Sequence, residues 1–425
     1  MKKVKLNITD YSILLAVAST SLYIVFRILG RELGSFAYLW APLALITIIL
    51  TRPSIFKKKL LIKVIFYGIF MVGILQFFLW NYLDDWNKGK IFGEFYNIFI
   101  MISILYYYKE KKEYHKLALI AKYAFIFILI GIIGTNIALS LDSMIVRQSA
   151  SSGKFTSYQV MVYKYTGAMG YNYIQAMVCL IPILIFYIKN KQKMIFKTKT
   201  LIVVLLLLLI TLIRSQVFAN VLIAIFITIL SLLDAKKFRK SVVIVLFFGF
   251  LFYLIPNSYY IDAIYYLGEK FEPGTAMHYK INDFAFFLKN PEIDIETGAG
   301  ARAERYPMLF EALAANPLFG NSSYNSPYDI GLGAHLYWMN RLTLWGIPGF
   351  IFFVYILISI FKKISSLFDE HYRFYYFLSI LAFVLLGLIK ATGGREIWFM
   401  LIVVIPGLYF LPLLLKKEEN SSFTD

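Results

Sequence analysis

The sequence predicts an all-α polytopic transmembrane protein of about 12 spans, each near the 20 apolar residues that a hydrocarbon layer requires. Three observations carry that prediction. The 425 residues are 60% hydrophobic and have a mean hydropathy of +0.68, values outside the range of a soluble core wrapped in polar surface. The apolar residues fall in long runs rather than in amphipathic stripes. Basic clusters occupy every second connection between those runs, the asymmetry that orients helices in a bilayer.

The runs cover residues 11–29, 36–51, 61–83, 91–108, 117–140 and 172–188 in the first half. The second half adds 200–213, 217–233, 241–256, 335–361, 374–390 and 396–415. Basic clusters lie at Lys2 to Lys5, Arg52 to Lys59, Lys109 to Lys116, Lys189 to Lys199, Lys236 to Lys240, Lys362 to Arg373, and Lys416 with Lys417. The positive-inside rule assigns these connections and both ends to the cytoplasm. The first run lacks a small-residue cleavage site, so it reads as a retained span rather than a signal peptide.

Residues 1–256 thus hold nine spans, 257–334 form an extracytoplasmic segment, and 335–425 hold three spans and a cytoplasmic tail. The outer face also carries a loop over 141–171 and a tight turn from Arg214 to Gln216. Within the long segment, Tyr306, Leu309, Phe310 and Leu313 recur at helical spacing. They predict a small amphipathic helix from Ala303 to Asn316 lying near the outer surface, with Pro307 tolerated near its first turn.

Composition excludes several function classes. The formal net charge of +18 is distributed in short clusters between apolar runs, which reads as topology and not as a nucleic-acid surface. The 32 Tyr and 39 Phe residues suit the headgroup region, where amphipathic rings concentrate. Cys179 is the only cysteine, so one chain builds neither a disulfide nor a thiolate metal site, and its place in an apolar run reads as packing.

Topology sorts the residues that could carry chemistry. His115 and His371 fall in basic cytoplasmic loops, whereas His278 and His335 face outside. His335 opens the tenth span, where a neutral imidazole could take a proton from a sugar hydroxyl or bond a helix terminus. Arg214 marks the tight outer turn, and it either anchors the helices at the interface or meets an anion. Arg302 and Arg305 share a face of the outer helix at a spacing of three. Two adjacent cations repel unless an anion joins them, and a solvated face is the other reading. Arg147, Lys154 and Lys164 add positive charge to the other outer loop.

Arg341 lies within the tenth span, turned away from the face of His335. An ionisable residue at that depth marks a site or a buried pair, and snorkelling to the headgroups is the alternative. Asp84 and Asp85 are adjacent outer carboxylates without an identifiable third ligand, so solvated charge is favoured over a metal site there.

The stretch Arg302-Ala-Glu-Arg305-Tyr-Pro-Met-Leu-Phe-Glu-Ala-Leu-Ala-Ala-Asn316-Pro317-Leu-Phe-Gly320 resembles a region of the O-antigen polymerase and ligase family of bacterial membrane glycosyltransferases. It has the family's arginine, amphipathic helix and Asn-Pro-Leu-Phe-Gly turn. His335 followed by Gly346-Ile-Pro-Gly349 is similar to the family's histidine and downstream Gly-x-x-Gly, and Arg214 matches its arginine between adjacent spans. The chain departs by having Leu336 where the family often has Asn, Gly300-Ala301 where it often has Ser-Gly, and Ser215 where it often has Gly.

The resemblance implies a GT-C-like fold that polymerises undecaprenyl-diphosphate-linked repeat units of capsule, O-antigen or exopolysaccharide at the outer face of the bacterial plasma membrane. His335 and Arg302 are then catalytic, with His335 as the base. Arg214, Arg302 and Arg305 hold the diphosphate, placing positive charge where negative charge grows. No cofactor and no metal is expected. Expected partners are the lipid-linked glycan, membrane lipid and a chain-length regulator, and no nucleic acid. A polysaccharide ligase shares the donor but differs in acceptor. A lipid-linked oligosaccharide flippase also has about 12 spans, but a transporter should show repeated halves and charges at mid-membrane depth.

Overall fold

The computed structural model describes residues 5–21, 39–74, 85–148, 156–192, 194–233, 257–289, 300–320 and 336–415. Every regular element among them is helical. The predicted span at 241–256 lies outside the described residues, as do parts of the spans at 11–29, 36–51 and 61–83.

Helices α1 (Ile8–Ser21), α2 (Ala41–Thr51) and α3 (Lys59–Ile74) lead, with a 3-10 turn at Pro53–Lys57 between the last two. There follow α4 (Asp85–Glu110), α5 (Tyr114–Leu141), the short α6 (Ile145–Gln148), α7 (Ser157–Thr166), α8 (Tyr171–Lys189), α9 (Thr198–Arg214) and α10 (Phe218–Leu232). The long segment expected as a loop holds α11 (Asn257–Glu269) and α12 (Ala276–Lys289), which pack as a hairpin, as well as α13 (Gly300–Ala315). Tyrosines and charges keep α11 and α12 too polar for a hydropathy reading to mark them. The chain closes with α14 (Tyr337–Ser365), α15 (Glu370–Ile389), α16 (Arg395–Phe399), a π-helical turn at Met400–Val404 and α17 (Ile405–Tyr409).

Among the described residues, four segments are long and apolar enough to cross a membrane: Tyr114–Leu141, Ser157–Lys189, Tyr337–Ser365 and Glu370–Ile389. Shorter apolar helices lie at Ile8–Thr20, Ala41–Thr51 and Phe218–Leu232. The bundle is organised around α8, whose side chains are buried from Tyr173 to Tyr187. A helix that is apolar all round must be covered on every side, and α15, α10, α9 and α16 provide the cover. Cys179 is fully buried there, as its apolar run suggests.

The outer helices turn apolar residues outward instead. Ile130, Ile133 and Ile137 on α5, Val203, Leu206 and Ile210 on α9, and Ile351, Tyr355 and Ile358 on α14 are all exposed. Continuous apolar surface on this scale suggests a membrane protein, because water would drive it into aggregation.

Polar contacts gather at two ends. At one, Arg52 meets Tyr107 and Glu113, the Tyr114 ring stacks on Phe410, and His371 Nε2 lies 3.0 Å from Asn190 Oδ1. At the other, Asn136 and Ser140 meet Arg214, the Met169 amide donates to Thr135 Oγ1, and the Tyr337 amide donates to the Lys390 carbonyl. The described basic connections fall at the first end. The Arg214 turn, the 390–394 turn and α13 fall at the second.

Candidate functional site

The second end holds most of the residues that the sequence singles out. Helix α13 lies against the start of α14. Leu309 is fully buried against Leu336 and Met339, and Thr343 Oγ1 donates 3.1 Å to the Leu309 carbonyl. Tyr306 Oη donates 2.6 Å to the Leu388 carbonyl at the end of α15. The amphipathic helix therefore exists, with one change of face. Tyr306, Leu309 and Ala312 turn inward, whereas Phe310 is exposed.

The Asn316–Gly320 turn that ends this helix docks on a break in α14. Gly346 has φ 68° and ψ 176° within the helix, and Gly320 has φ 77°. Both are left-handed values that favour glycine. The Ile347 amide donates 2.8 Å to the Pro317 carbonyl. A Cβ on Gly346 would stand 2.5 Å from the Leu318 oxygen and 2.8 Å from the Gly320 nitrogen, and one on Gly320 would collide with the Leu344 carbonyl. The two glycine motifs, separate in sequence, are thus two halves of one backbone-to-backbone joint.

Arg302 occupies the first turn of α13, and Arg305 is half-buried one turn later. The side chain of Arg302, all of His335 and all of Asp84 lie outside the described residues, as does the side chain of Asp85. Leu336, next to His335, is buried with φ 67° and caps α14. The start of α14 at Leu336 is therefore tied to the middle of α13.

Arg214, the last residue of α9, binds the end of α5. Its Nη1 donates 3.2 Å to both the carbonyl and Oδ1 of Asn136, and its Nη2 donates 2.8 Å to Ser140 Oγ. A cation bonded near the last carbonyls of a helix is a favourable cap, so the anchoring reading has a concrete basis here. Arg214 as a whole is half-buried.

His278 is occupied by its own hairpin. Its Nδ1 lies 3.1 Å from the Gly268 carbonyl, which can only accept, and Asn282 Nδ2 lies 3.2 Å from its Nε2. The geometry assigns the proton to Nδ1 and leaves the ring with structural work. Lys164 is exposed, Arg147 is half-buried, and Lys154 lies outside the described residues.

Arg341 resolves into a buried pair rather than a snorkelling side chain. Glu94 of α4 accepts from Arg341 Nε at 3.1 Å and from its Nη2, and also from Tyr337 Oη. The Arg341 guanidinium lies 3.4 Å from the Tyr337 ring centroid. Its Nη1 reaches the Tyr337 carbonyl at 3.4 Å. Arg341 and Glu94 are 4% and 6% exposed, so the two charges leave water together. The turn after α15 closes over them, because a Cβ on Gly393 would sit 2.7 Å from the Tyr337 ring, 2.8 Å from Arg341 Nη2 and 2.9 Å from Glu94 Oε1. Buried Lys390 and Glu396 flank this turn, and Arg395 Nε lies 3.4 Å from Glu396 Oε1.

Sequence reasoning missed Glu94, Lys390, Arg395 and Glu396. An acidic residue inside an apolar run was the available signal for Glu94. For the other three it was the charge packed into the short 390–396 connection. Among the described residues, no group of three His, Cys, Asp or Glu side chains comes together as a metal site. No protein-family model and no curated protein matches the chain.

Proposed function

We propose that the chain is a metal-independent glycosyltransferase of the bacterial plasma membrane, with about 12 spans, a GT-C-like fold and both ends in the cytoplasm. It polymerises undecaprenyl-diphosphate-linked oligosaccharide units at the outer face. The single observation that carries this reading is the joint between Asn316–Gly320 and Gly346. It ties the helix bearing Arg302 and Arg305 to the helix that follows His335, and a transfer from a diphosphate needs its base and its cations on neighbouring segments.

In this mechanism His335 takes the proton of the acceptor hydroxyl as the new glycosidic bond forms. The bond between the donor sugar and its phosphate oxygen breaks, and the diphosphate leaves with the electron pair. Arg302 and Arg305 hold that leaving group, since planar guanidinium forks match phosphate oxygens bidentately. Arg214, already bonded to Asn136 and Ser140, presents its remaining edge to the polyprenyl diphosphate.

The test uses purified protein with lipid-linked repeat units. His335→Ala abolishes polymer while the protein inserts at its normal level, and His278→Ala does not. Arg302→Lys, which keeps charge and loses the fork, is severely defective, and Arg305→Lys is milder. Polymerisation continues with a chelator. Loss with chelator and recovery with magnesium or manganese would refute the arginine clamp and turn attention to Asp84 and Asp85. Transfer to a non-identical acceptor without chain growth would identify a ligase. Reporters near Lys193, Lys237 and Lys417 read cytoplasmic, and those near Ser152 and Glu296 read outside.

A further inference from the structure

The hairpin of α11 and α12 lies outside the transferase reading, and its helices carry more apolar surface than the seam between them covers. On α11 the seam side is marked by Ile261 and Gly268, seven residues apart and both buried. A Cβ on Gly268 would collide with Asn282 of α12. On α12, Met277, Ile281 and Ala285 are buried at four-residue spacing.

A second stripe runs along the side of α11 away from that seam. Tyr259, Ala263, Tyr266, Leu267 and Lys270 follow one another at helical spacing and are all exposed, with Tyr259 at 67% and Tyr266 at 63%. On α12, Tyr279 and Phe286 repeat the seven-residue spacing at 58% and 41% exposed. Charge is sorted around the stripe of α11. Lys270 Nζ stands 4.3 Å over the Tyr266 ring centroid, so a cation accompanies the tyrosines. Asp262 and Glu269, also exposed and seven residues apart, lie about a quarter turn round the helix from the centre of the stripe.

The hairpin is anchored where an apolar helix begins. The Phe284 ring of α12 lies 6.0 Å from the ring of Phe218, which is the first residue of α10. From there Leu222, Ile225, Phe226 and Ile229 of α10 are exposed as part of the apolar belt of the bundle. In the sequence, the apolar run 241–256 ends at the residue before α11. Both neighbours therefore set the hairpin at the level of helix ends, where headgroups meet hydrocarbon and amphipathic rings concentrate.

We propose that the α11–α12 hairpin is a lipid-binding surface that lies in the headgroup layer of the bilayer. Tyr259, Tyr266 and Leu267 turn to the lipid, Lys270 meets the phosphates, and Asp262 and Glu269 stay in water. A helix with one apolar face and a basic residue at its edge binds such an interface by burying that face. Docked in this way, the hairpin holds the long segment against the membrane surface. The inference rests on the apolar belt and not on the transferase reading.

The test uses the full chain in vesicles of phosphatidylethanolamine and phosphatidylglycerol, carrying one spin label at a time. Cys179 is the single cysteine, so the labels are placed on a Cys179→Ala background. Labels at Tyr259→Cys, Tyr266→Cys and Leu267→Cys respond severalfold more to oxygen, which concentrates in lipid, than to a water-soluble nickel chelate. Those at Asp262→Cys and Glu269→Cys show the reverse. Equal access of the chelate to every position would place the hairpin in water and overturn the proposal. Shielding of the tyrosine stripe from both reagents would also overturn it, by showing a protein or a second copy over that face. If a tyrosine variant does not insert, Leu267→Cys against Glu269→Cys decides, and matching profiles there overturn the surface.

Discussion

Helix α4 carries a buried arginine contact near each end, and the two are built to opposite designs. Glu94 and Tyr107 are 13 residues apart, about 20 Å along the axis. At the Glu94 end, all three nitrogens of the Arg341 guanidinium meet an acceptor, and a glycine turn seals the pair. At the Tyr107 end, Arg52 is equally buried but makes one hydrogen bond, to the Tyr107 carbonyl, and meets Glu113 only at 3.9 Å. A hydrogen-bonded pair fixes helices to one another more firmly than a stretched one.

The largest effect should come from opening the sealed end. Glu94→Gln leaves the Arg341 charge uncompensated and lowers stability by about 3–5 kcal/mol, measured as denaturant or thermal unfolding in detergent. The double variant Glu94→Leu with Arg341→Met recovers most of that loss, because replacing both partners of a buried pair by apolar residues is often neutral. A double variant as unstable as Glu94→Gln would show that the pair does more than hold α4 to α14.

The same end can be attacked through the backbone. Gly346→Ala forces a Cβ into the Leu318 carbonyl at a left-handed φ, at a cost of about 2–4 kcal/mol. Limited proteolysis should then cleave around α13 before the rest of the bundle. Uniform resistance would mean that Leu309, Thr343 and Tyr306 hold α13 without the joint.

At the open end the effects are smaller. Arg52→Gln loses the Tyr107 hydrogen bond and ring contact, about 1–2 kcal/mol, read as thermal unfolding in detergent. A loss as large as that of Glu94→Gln would make the two ends alike.

Nearby, burial and then the Lys363 ammonium bring Lys109 down to about 8. The folded state holds this proton less tightly than the unfolded chain, so the charge destabilises the fold at neutral pH. Stability is recovered as pH rises from about 8 towards the ordinary 10.5. Lys109→Gln therefore raises the unfolding temperature at pH 7 slightly, by no more than about 2 °C, and flattens this part of the pH profile.

The helical class, the apolar runs, the basic connections and the amphipathic α13 were legible in the chain, because each depends on local composition or on a period of 3.6 residues. The Arg214 turn was also legible as two apolar runs with almost nothing between them. Leu336, a departure from the resembled family, has a local reason that needs the fold: it is buried against Leu309. Phe310 fits the helical period yet faces out, since periodicity gives a stripe without saying which edge of it a neighbour covers.

Sequence by itself determined where this protein is apolar, where its positive charge collects, and that Arg341 sits at a depth demanding explanation. Only the tertiary structure decided that Glu94, 247 residues away, answers that charge, that Gly320 and Gly346 meet, and that Arg52 remains half answered. The first set follows from transfer of single residues between water and lipid. The second depends on which distant side chains share a dehydrated space, where a charge or a missing Cβ is defined by its partner and not by its own position in the chain.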